Sequence, residues 1–115
     1  MRGWSEGLTL SPRELLAAAD DPRVVVLDVR TSAERSVRPL DNPFFAVVYA
    51  PRDALRGRLA AVAALVGNRH VVVVDTDERE AVAAVRLLRT LEVDCFALQG
   101  GIAWWPGPFG KLRVT

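Results

Sequence analysis

Two uninterrupted apolar runs, Val24-Val25-Val26-Leu27 and Val71-Val72-Val73-Val74, constrain this chain more than any other feature in it. β-Branched side chains favour extended backbone, and a run without polar alternation suits a strand covered on both faces. Such strands belong to parallel sheets enclosed between helices. Each run ends on an acid, Asp28 and Asp75. In an open parallel sheet the carboxyl ends of the strands border the ligand crevice, so these acids mark where chemistry would be placed.

Helix signals alternate with the strands. Ser11-Pro12-Arg13-Glu14 has the form of a capping box with Pro at the first helical position, Leu15 to Ala19 continue it, and Asp20-Asp21-Pro22 stop it. Thr31, Ser32 and Glu34 predict a short capped turn of helix, and residues 37–45 a loop broken by Pro39 and Pro43. Ala46–Tyr49 reads as a short strand and Asp53–Val66 as one amphipathic helix, with Leu55, Leu59, Val62, Ala63 and Val66 on its buried stripe. Asp77-Glu78-Arg79-Glu80 reads as another capping box, opening a helix that buries Ala81, Val82, Val85, Leu88 and Leu91. Cys95–Leu98 is the last strand, Gly100-Gly101 break it, and Ile102–Trp105 form one helical turn. The order predicts an α/β fold of three layers, α/β/α, around a central parallel sheet. At 115 residues the chain suits a single domain over 1–115, with its motifs between about 8 and 105 and a tail at 106–115.

Composition removes several classes of function. The formal net charge is +1 and the arginines are scattered, the densest group being Arg52, Arg56 and Arg58, so no basic stripe for nucleic acid exists. The longest apolar run, Leu59–Val66, is far short of the about 18 residues that cross a bilayer, and Met1–Leu10 has no apolar signal core. A single cysteine, Cys95, allows no intrachain disulfide. These features predict a cytoplasmic protein that binds neither nucleic acid nor membrane.

The segment after the second run carries the chemical argument. Asp75, Thr76, Asp77, Glu78, Arg79 and Glu80 hold four carboxylates and no Cys, Ser or His. A helix N-terminus ordinarily attracts phosphate or sulfur oxyanions, but these carboxylates occupy or repel that space. Asp28 and Asp75 either face one pocket or each bond the backbone N–H groups of the loop that follows; the second reading is preferred. On that reading Asp75→Ala removes a cap-like interaction of about 0.5–2 kcal/mol and leaves the fold intact. Strand-Asp75-Thr76-Asp77 resembles the opening of the haloacid-dehalogenase family, but Arg79 stands where that family has a hydroxyl, and too little chain follows. His70 reads as a strand-edge residue, and Cys95, inside a strand, as a small buried apolar group. Trp104, Trp105 and Phe109 form an aromatic C-terminal cluster: one of the two tryptophans is expected to plug the core, and the other either marks an exposed contact surface or is covered by the chain's own tail.

Taken in order, several segments resemble the rhodanese-like family. Ser11-Pro12-Arg13-Glu14-Leu15 is similar to its opening helix, and Val24–Arg30 with Glu34 to its strand, Asp-Val-Arg and following Glu. Ala46–Pro51 resembles its Ala-x-x-x-x-Pro piece, and Leu98-Gln99-Gly100-Gly101-Ile102-Ala103-Trp104-Trp105 its Leu-x-Gly-Gly-x-x-x-Trp ending. The resemblance implies a parallel sheet of about five strands between two helical layers. In active members a Cys follows the strand equivalent to Val71–Val74, opens a Cys-x-x-Gly-x-Arg loop, and carries sulfur as a persulfide. Here Asp75 falls on the Cys position, Glu78 on the Gly position and Glu80 on the Arg position. Asp28 and Arg30 match the family motif beside the pocket, but their role is read as structural: a strand-end acid and a guanidinium that ties neighbouring loops together.

These departures imply a catalytically inactive member that binds an unknown protein partner or regulates, with no catalytic residue, cofactor or metal. The aromatic C-terminal region offers a face for a homodimer. Two enzymatic alternatives stay open: a divergent sulfurtransferase using Cys95, and an acid-based hydrolase using Asp75 with Asp28. Binding of a small cation or metabolite at the acidic loop is a third.

Overall fold

The two valine-rich runs lie side by side at the centre of one sheet. The structure, a computed structural model, describes residues 7–40 and 45–105. Strand β2 (Val24–Asp28) pairs in parallel with β4 (His70–Val74), placing Val25 beside Val71 and Asp28 beside Val74. β3 (Ala46–Tyr49) flanks β2, β5 (Cys95–Leu98) flanks β4, and β1 (Thr9–Leu10) flanks β5. All pairs are parallel, in the order β1-β5-β4-β2-β3. β1 has no sequence pattern of its own; Leu8 and Leu10 carbonyls accept the N–H groups of Ala97 and Gln99 at 2.8 and 2.9 Å.

Alternation along the strands divides the core in two. Val25, Leu27, Val71, Val73, Cys95 and Ala97 face α3 (Arg52–Gly57), α4 (Leu59–Val66) and α5 (Glu78–Arg89), where they meet Leu55, Val62, Val66, Val85 and Leu88. Val24, Val26, Val72, Val74, Phe96 and Leu98 face the other way, onto Leu15 of α1 (Pro12–Ala17) and Ile102 of a 3-10 turn, Gly101–Trp104. The sheet is thus covered on both faces, the three-layer arrangement expected, and each fully buried valine contributes about 1.5–3 kcal/mol. No helix among the described residues is long and apolar enough to cross a membrane.

The capping box read at Ser11–Glu14 is formed. Ser11 accepts from the Glu14 N–H at 3.1 Å while Glu14 accepts from the Ser11 N–H at 2.8 Å. Thr31 and Glu34 repeat the exchange at 3.2 and 2.8 Å, opening α2 (Ser32–Val37). The box read at Asp77–Glu80 does not form: the Asp77 side chain accepts from the Arg79 N–H at 2.8 Å, while the Glu80 N–H donates to the Asp77 carbonyl at 3.1 Å.

Three boundaries differ from the sequence reading. The single helix expected over Asp53–Val66 is two, because Arg58 leaves helical geometry after Gly57. Its N–H closes α3 on Ala54 and Leu55 carbonyls, and its own carbonyl accepts the Val62 N–H of α4 at 3.0 Å. α5 ends at Arg89, so Ala84 joins the buried face and Leu91 is exposed. α1 ends at Ala17, ahead of Asp20-Asp21-Pro22. Residues 41–44 of the expected loop and the tail 106–115, with Phe109, lie outside the described residues.

Gly101 fixes how the 3-10 turn meets the β4–α5 loop. Its φ is +68°, and an added Cβ would stand 2.5 Å from the Thr76 carbonyl oxygen and 2.8 Å from that of Asp75. Ile102 then donates its N–H to the Asp75 carbonyl at 2.8 Å. Gly101→Ala is expected to destabilise the fold by about 2 kcal/mol or more, from the left-handed backbone and the backbone clash together. Gly57→Ala, in open space at a helix end, is expected to be neutral or stabilising by up to about 1 kcal/mol. Denaturant melts of the two variants check this; equal midpoints would contradict it.

Candidate functional site

The carboxyl edge of the sheet holds two buried ion pairs. Asp28, at the end of β2, is wholly buried and belongs to Arg30, itself 1% exposed. One Asp28 oxygen accepts the Arg30 backbone N–H at 3.1 Å and its Nε at 3.0 Å; the other accepts Nη2 at 2.9 Å. The remaining guanidinium nitrogen, Nη1, donates to the Arg38 carbonyl at 2.6 Å and ties the end of α2 to the sheet. Two parallel N–H···O bonds of this kind form a strong, geometrically specific pair that holds the carboxylate in place.

Asp75 directly follows β4 and is also wholly buried. One carboxylate oxygen, Oδ1, accepts Nη1 of Arg52 and the Thr76 N–H. The other, Oδ2, is enclosed and accepts no hydrogen bond among the described residues. Arg52 also reaches Glu34, whose Oε1 lies 3.1 Å from Nη2. The chain Asp75–Arg52–Glu34 therefore joins the β4–α5 loop to α3 and α2.

Sheet hydrogen bonding explains why Arg52 can span to Asp75. The Arg52 N–H donates to the Val29 carbonyl, and the Val29 N–H donates to the Val74 carbonyl, both at 3.0 Å. Arg52 thus sits two strand spacings from β4, about 10 Å, within reach of an extended arginine. The preferred sequence reading, that each acid bonds a backbone N–H of the loop after it, holds for Asp28 with Arg30 and for Asp75 with Thr76. It treated Arg52 only as part of a thin basic cluster, and there the structure corrects it: Asp75 is also a buried member of a charge network.

Electrostatics follow from burial. Loss of water raises the Asp75 carboxyl above its ordinary value, and the Arg52 and Thr76 donors oppose this only in part. Glu34 is lowered, first by the Thr31 N–H and then by Arg52. Asp77 is lowered by the Arg79 N–H. Glu78 turns away from its helix and accepts the Gly100 N–H at 2.7 Å, fastening the loop to the turn before the 3-10 segment. Thr76, Arg79 and Glu80 are exposed.

Asp28 and Asp75 do not meet in a common pocket. An open groove of about 400 Å³ lies beside them, lined by Arg30, Glu34, Val37, Thr76 and Ile102 among others, but by neither aspartate. No group of three His, Cys, Asp or Glu side chains suited to a metal occurs among the described residues. His70 is at the amino end of β4, a strand length from Asp75, with Nδ1 2.6 Å from Asp94. Cys95 is wholly buried in β5. Burial pushes its thiol up to about 11, against a weaker opposing influence of Arg89. Trp105 packs edge-on against Phe45 at 6.5 Å, whereas Trp104 is 65% exposed.

Removing Arg52 leaves a buried carboxylate unpaired. Arg52→Ala is expected to cost about 2–4 kcal/mol at neutral pH, discounted from a fully buried pair because Arg52 is a quarter exposed. Because folding raises the Asp75 pKa, its neutral form is the one folding favours. Its contribution is fully present below the ordinary 3.8 and is lost as pH rises through the higher folded value. The Arg52→Ala penalty should therefore shrink in acid, and the advantage of wild type over Asp75→Asn should fall as pH rises from below 3.8. Urea melts across pH check both; a small, pH-independent effect of Arg52→Ala would contradict the network.

Comparison with known proteins agrees with this geometry. A model of the rhodanese-like domain family matches residues 11–107. No curated protein matches the chain. Among solved structures, the rhodanese-like domain of an Anabaena protein is 22% identical, with a TM-score of 0.66 over 86% of this chain and 73% of that one. The human single-domain sulfurtransferase TSTD1 is 22% identical, with a TM-score of 0.66 over 89% of this chain and 97% of its own. The Saccharomyces cerevisiae single-domain sulfurtransferase RDL2 is 13% identical, with a TM-score of 0.64 over 94% and 97%. At these identities the structural likeness speaks for the fold. With the family match across most of its length, the chain belongs to the rhodanese-like domain family.

Proposed function

We propose that this rhodanese-like domain performs no sulfur transfer and acts as a protein-binding or regulatory module. The observation that carries the reading is the buried, ion-paired Asp75 at the end of β4, the position that the family resemblance gives to the sulfur-carrying Cys. A carboxylate cannot hold a transferable sulfur atom as a persulfide. Its charge is committed to Arg52, and the Glu78 that stands at the family's Gly position is committed to Gly100.

Cys95, the chain's single thiol, is a poor substitute. It has no exposed surface, and a thiol raised to about 11 holds about one part in ten thousand thiolate at neutral pH. Asp75 as a hydrolytic group meets the same obstacle of access, since its carboxyl is enclosed. What the carboxyl edge does expose is a groove, an acidic loop and a tryptophan, features suited to contact with another protein.

The test is a thiosulfate-to-cyanide transfer assay on the native chain, with intact mass read after thiosulfate treatment. The expected result is no turnover and no added sulfur atom. In parallel, native Cys95 should label with iodoacetamide only as fast as the fold opens. Turnover together with a one-sulfur adduct that is lost in Cys95→Ala would overturn the proposal and assign the chemistry to Cys95.

A further inference from the structure

The sheet has two edges, and they are finished differently. β1 is two residues long and passes at once through Ser11 into α1, which opens on Pro12. A very short edge strand is one of the ways a sheet is closed against other strands. β3, at the opposite end of the order β1-β5-β4-β2-β3, is longer, and Ala46-Val47-Val48-Tyr49 holds no charge and no proline. The Ala50 N–H donates to the Asp28 carbonyl of β2 at 3.0 Å. Backbone groups alternate in direction along a strand, so Ala46 and Val48 also turn towards β2, while Val47 and Tyr49 turn their N–H and C=O groups away from it. Among the described residues no strand lies beyond β3, and these outward groups have no hydrogen-bond partner.

α4 flanks this edge and is apolar all round. Leu59–Val66 contains no polar side chain, yet only Val62 and Val66 are buried; Ala60, Ala61 and Ala64 are exposed, and Leu65 is 61% exposed. A helix without a polar face ordinarily lies inside a protein. Between it and the edge is a cleft of about 220 Å³, bordered by Tyr49 and Pro51, by Ala54 of α3, and by Arg58, Ala61 and Leu65 among others. Arg58 is the one charge that lines it. Open edge, cleft and helix together lack the charges by which proteins keep a sheet edge free of other chains.

We propose that this surface is a two-fold interface between copies of the chain, in which β3 pairs antiparallel with β3 of the second copy and α4 packs beside its counterpart. The strand is its own complement. With Val48 opposite Val48 across the axis, Val47 falls opposite Tyr49, and each such pair exchanges N–H···O=C bonds in both directions, so every outward group of Val47 and Tyr49 is used. The same axis brings both α4 helices to one side of the joined sheet, running antiparallel, with Leu65 of each copy covered and the two Arg58 side chains at opposite ends. Depletion of charge selects this occupant: interfaces between identical copies are the more apolar class, whereas a charged segment or a nucleic acid would find only Arg58 to recognise. The contact is independent of sulfur transfer, because no residue of the β4–α5 loop lines this surface.

Sedimentation velocity of the full chain over a range of concentrations reads the mass, and a monomer–dimer equilibrium with a Kd of about 1–100 μM is expected. Amide hydrogen exchange locates the contact: the Val47 and Tyr49 amides should be protected in the dimer and exchange freely on dilution. Leu65→Lys sets a charge into the apolar contact and should raise the Kd at least about tenfold. Val47→Pro removes an outward donor while the bonds to β2 stay, the one setting in which a strand accepts proline, and should weaken the dimer comparably. Trp104→Ala should leave the dimer unchanged. Circular dichroism should show every variant folded, Leu65 and Trp104 being exposed in the single chain.

A chain that stays monomeric to about 1 mM would overturn the proposal. So would Val47 and Tyr49 amides protected in the monomer, which would put residues 41–44 or 106–115 of the same chain on the edge. A dimer indifferent to Leu65→Lys and Val47→Pro would overturn it too, as would one that Trp104→Ala dissociates, which would move the contact to the aromatic C-terminal region.

Discussion

The ion pair between Asp75 and Arg52 is the interaction around which the carboxyl edge of this protein is arranged. A carboxylate at the end of a central strand has lost its water, and a lone buried charge costs several kcal/mol, so it must be given a partner or neutralised. The partner comes from the first residue of α3, and it arrives because the chain leaving β3 continues to hydrogen-bond along β2 as far as Arg52. Arg52 in turn holds Glu34 of α2. On the far side, the Asp75 carbonyl accepts from Ile102 and the Thr76 carbonyl leaves room only for a glycine at 101. Loop, helices and turn are fixed with respect to one another through this one residue.

The same arrangement encloses the two strand-end acids and the thiol among the described residues. Asp28 is closed by the Arg30 fork and Asp75 by Arg52 and Thr76. Cys95 is walled in between the sheet and α5, its Sγ 3.7 Å from the Val85 carbonyl. What faces solvent at this edge is mixed: Val37 and Trp104, Arg38, and the loop from Thr76 to Glu80 with Asp77 paired to Arg79.

Much of the fold was legible because its signals are local. Val24–Leu27 and Val71–Val74 announce central parallel strands by composition alone, and Ser11/Glu14 and Thr31/Glu34 announce helix starts by spacing. The burial of Cys95 followed from its strand. Other features depend on what the chain meets in space. β1 is two residues long and exists through its pairing with β5. Asp77–Glu80 has the spacing of a capping box, but the Asp77 side chain bonds the Arg79 N–H one residue earlier; separately, Glu78 is held by Gly100, brought near by the sheet and not by sequence proximity. The break at Arg58 had a signal, Gly57, which costs about 1 kcal/mol inside a helix and was outweighed by the apolar stripe running through it. The pairing of Arg52 with Asp75 spans 23 residues. It could have been anticipated only from topology: in a parallel sheet the chain after β3 emerges at the same edge as the end of β4, so a cation there is a candidate for the acid.

The most direct test of the account is the ionisation of Asp75 itself, read from its side-chain carboxyl carbon by NMR across pH in the native chain and in Arg52→Ala. The account predicts titration above the ordinary aspartate range in the native chain, and a further upward shift when Arg52 is removed. An Asp75 that titrates in the ordinary range and ignores the loss of Arg52 would contradict it, and the carboxyl edge would then need a different organising interaction.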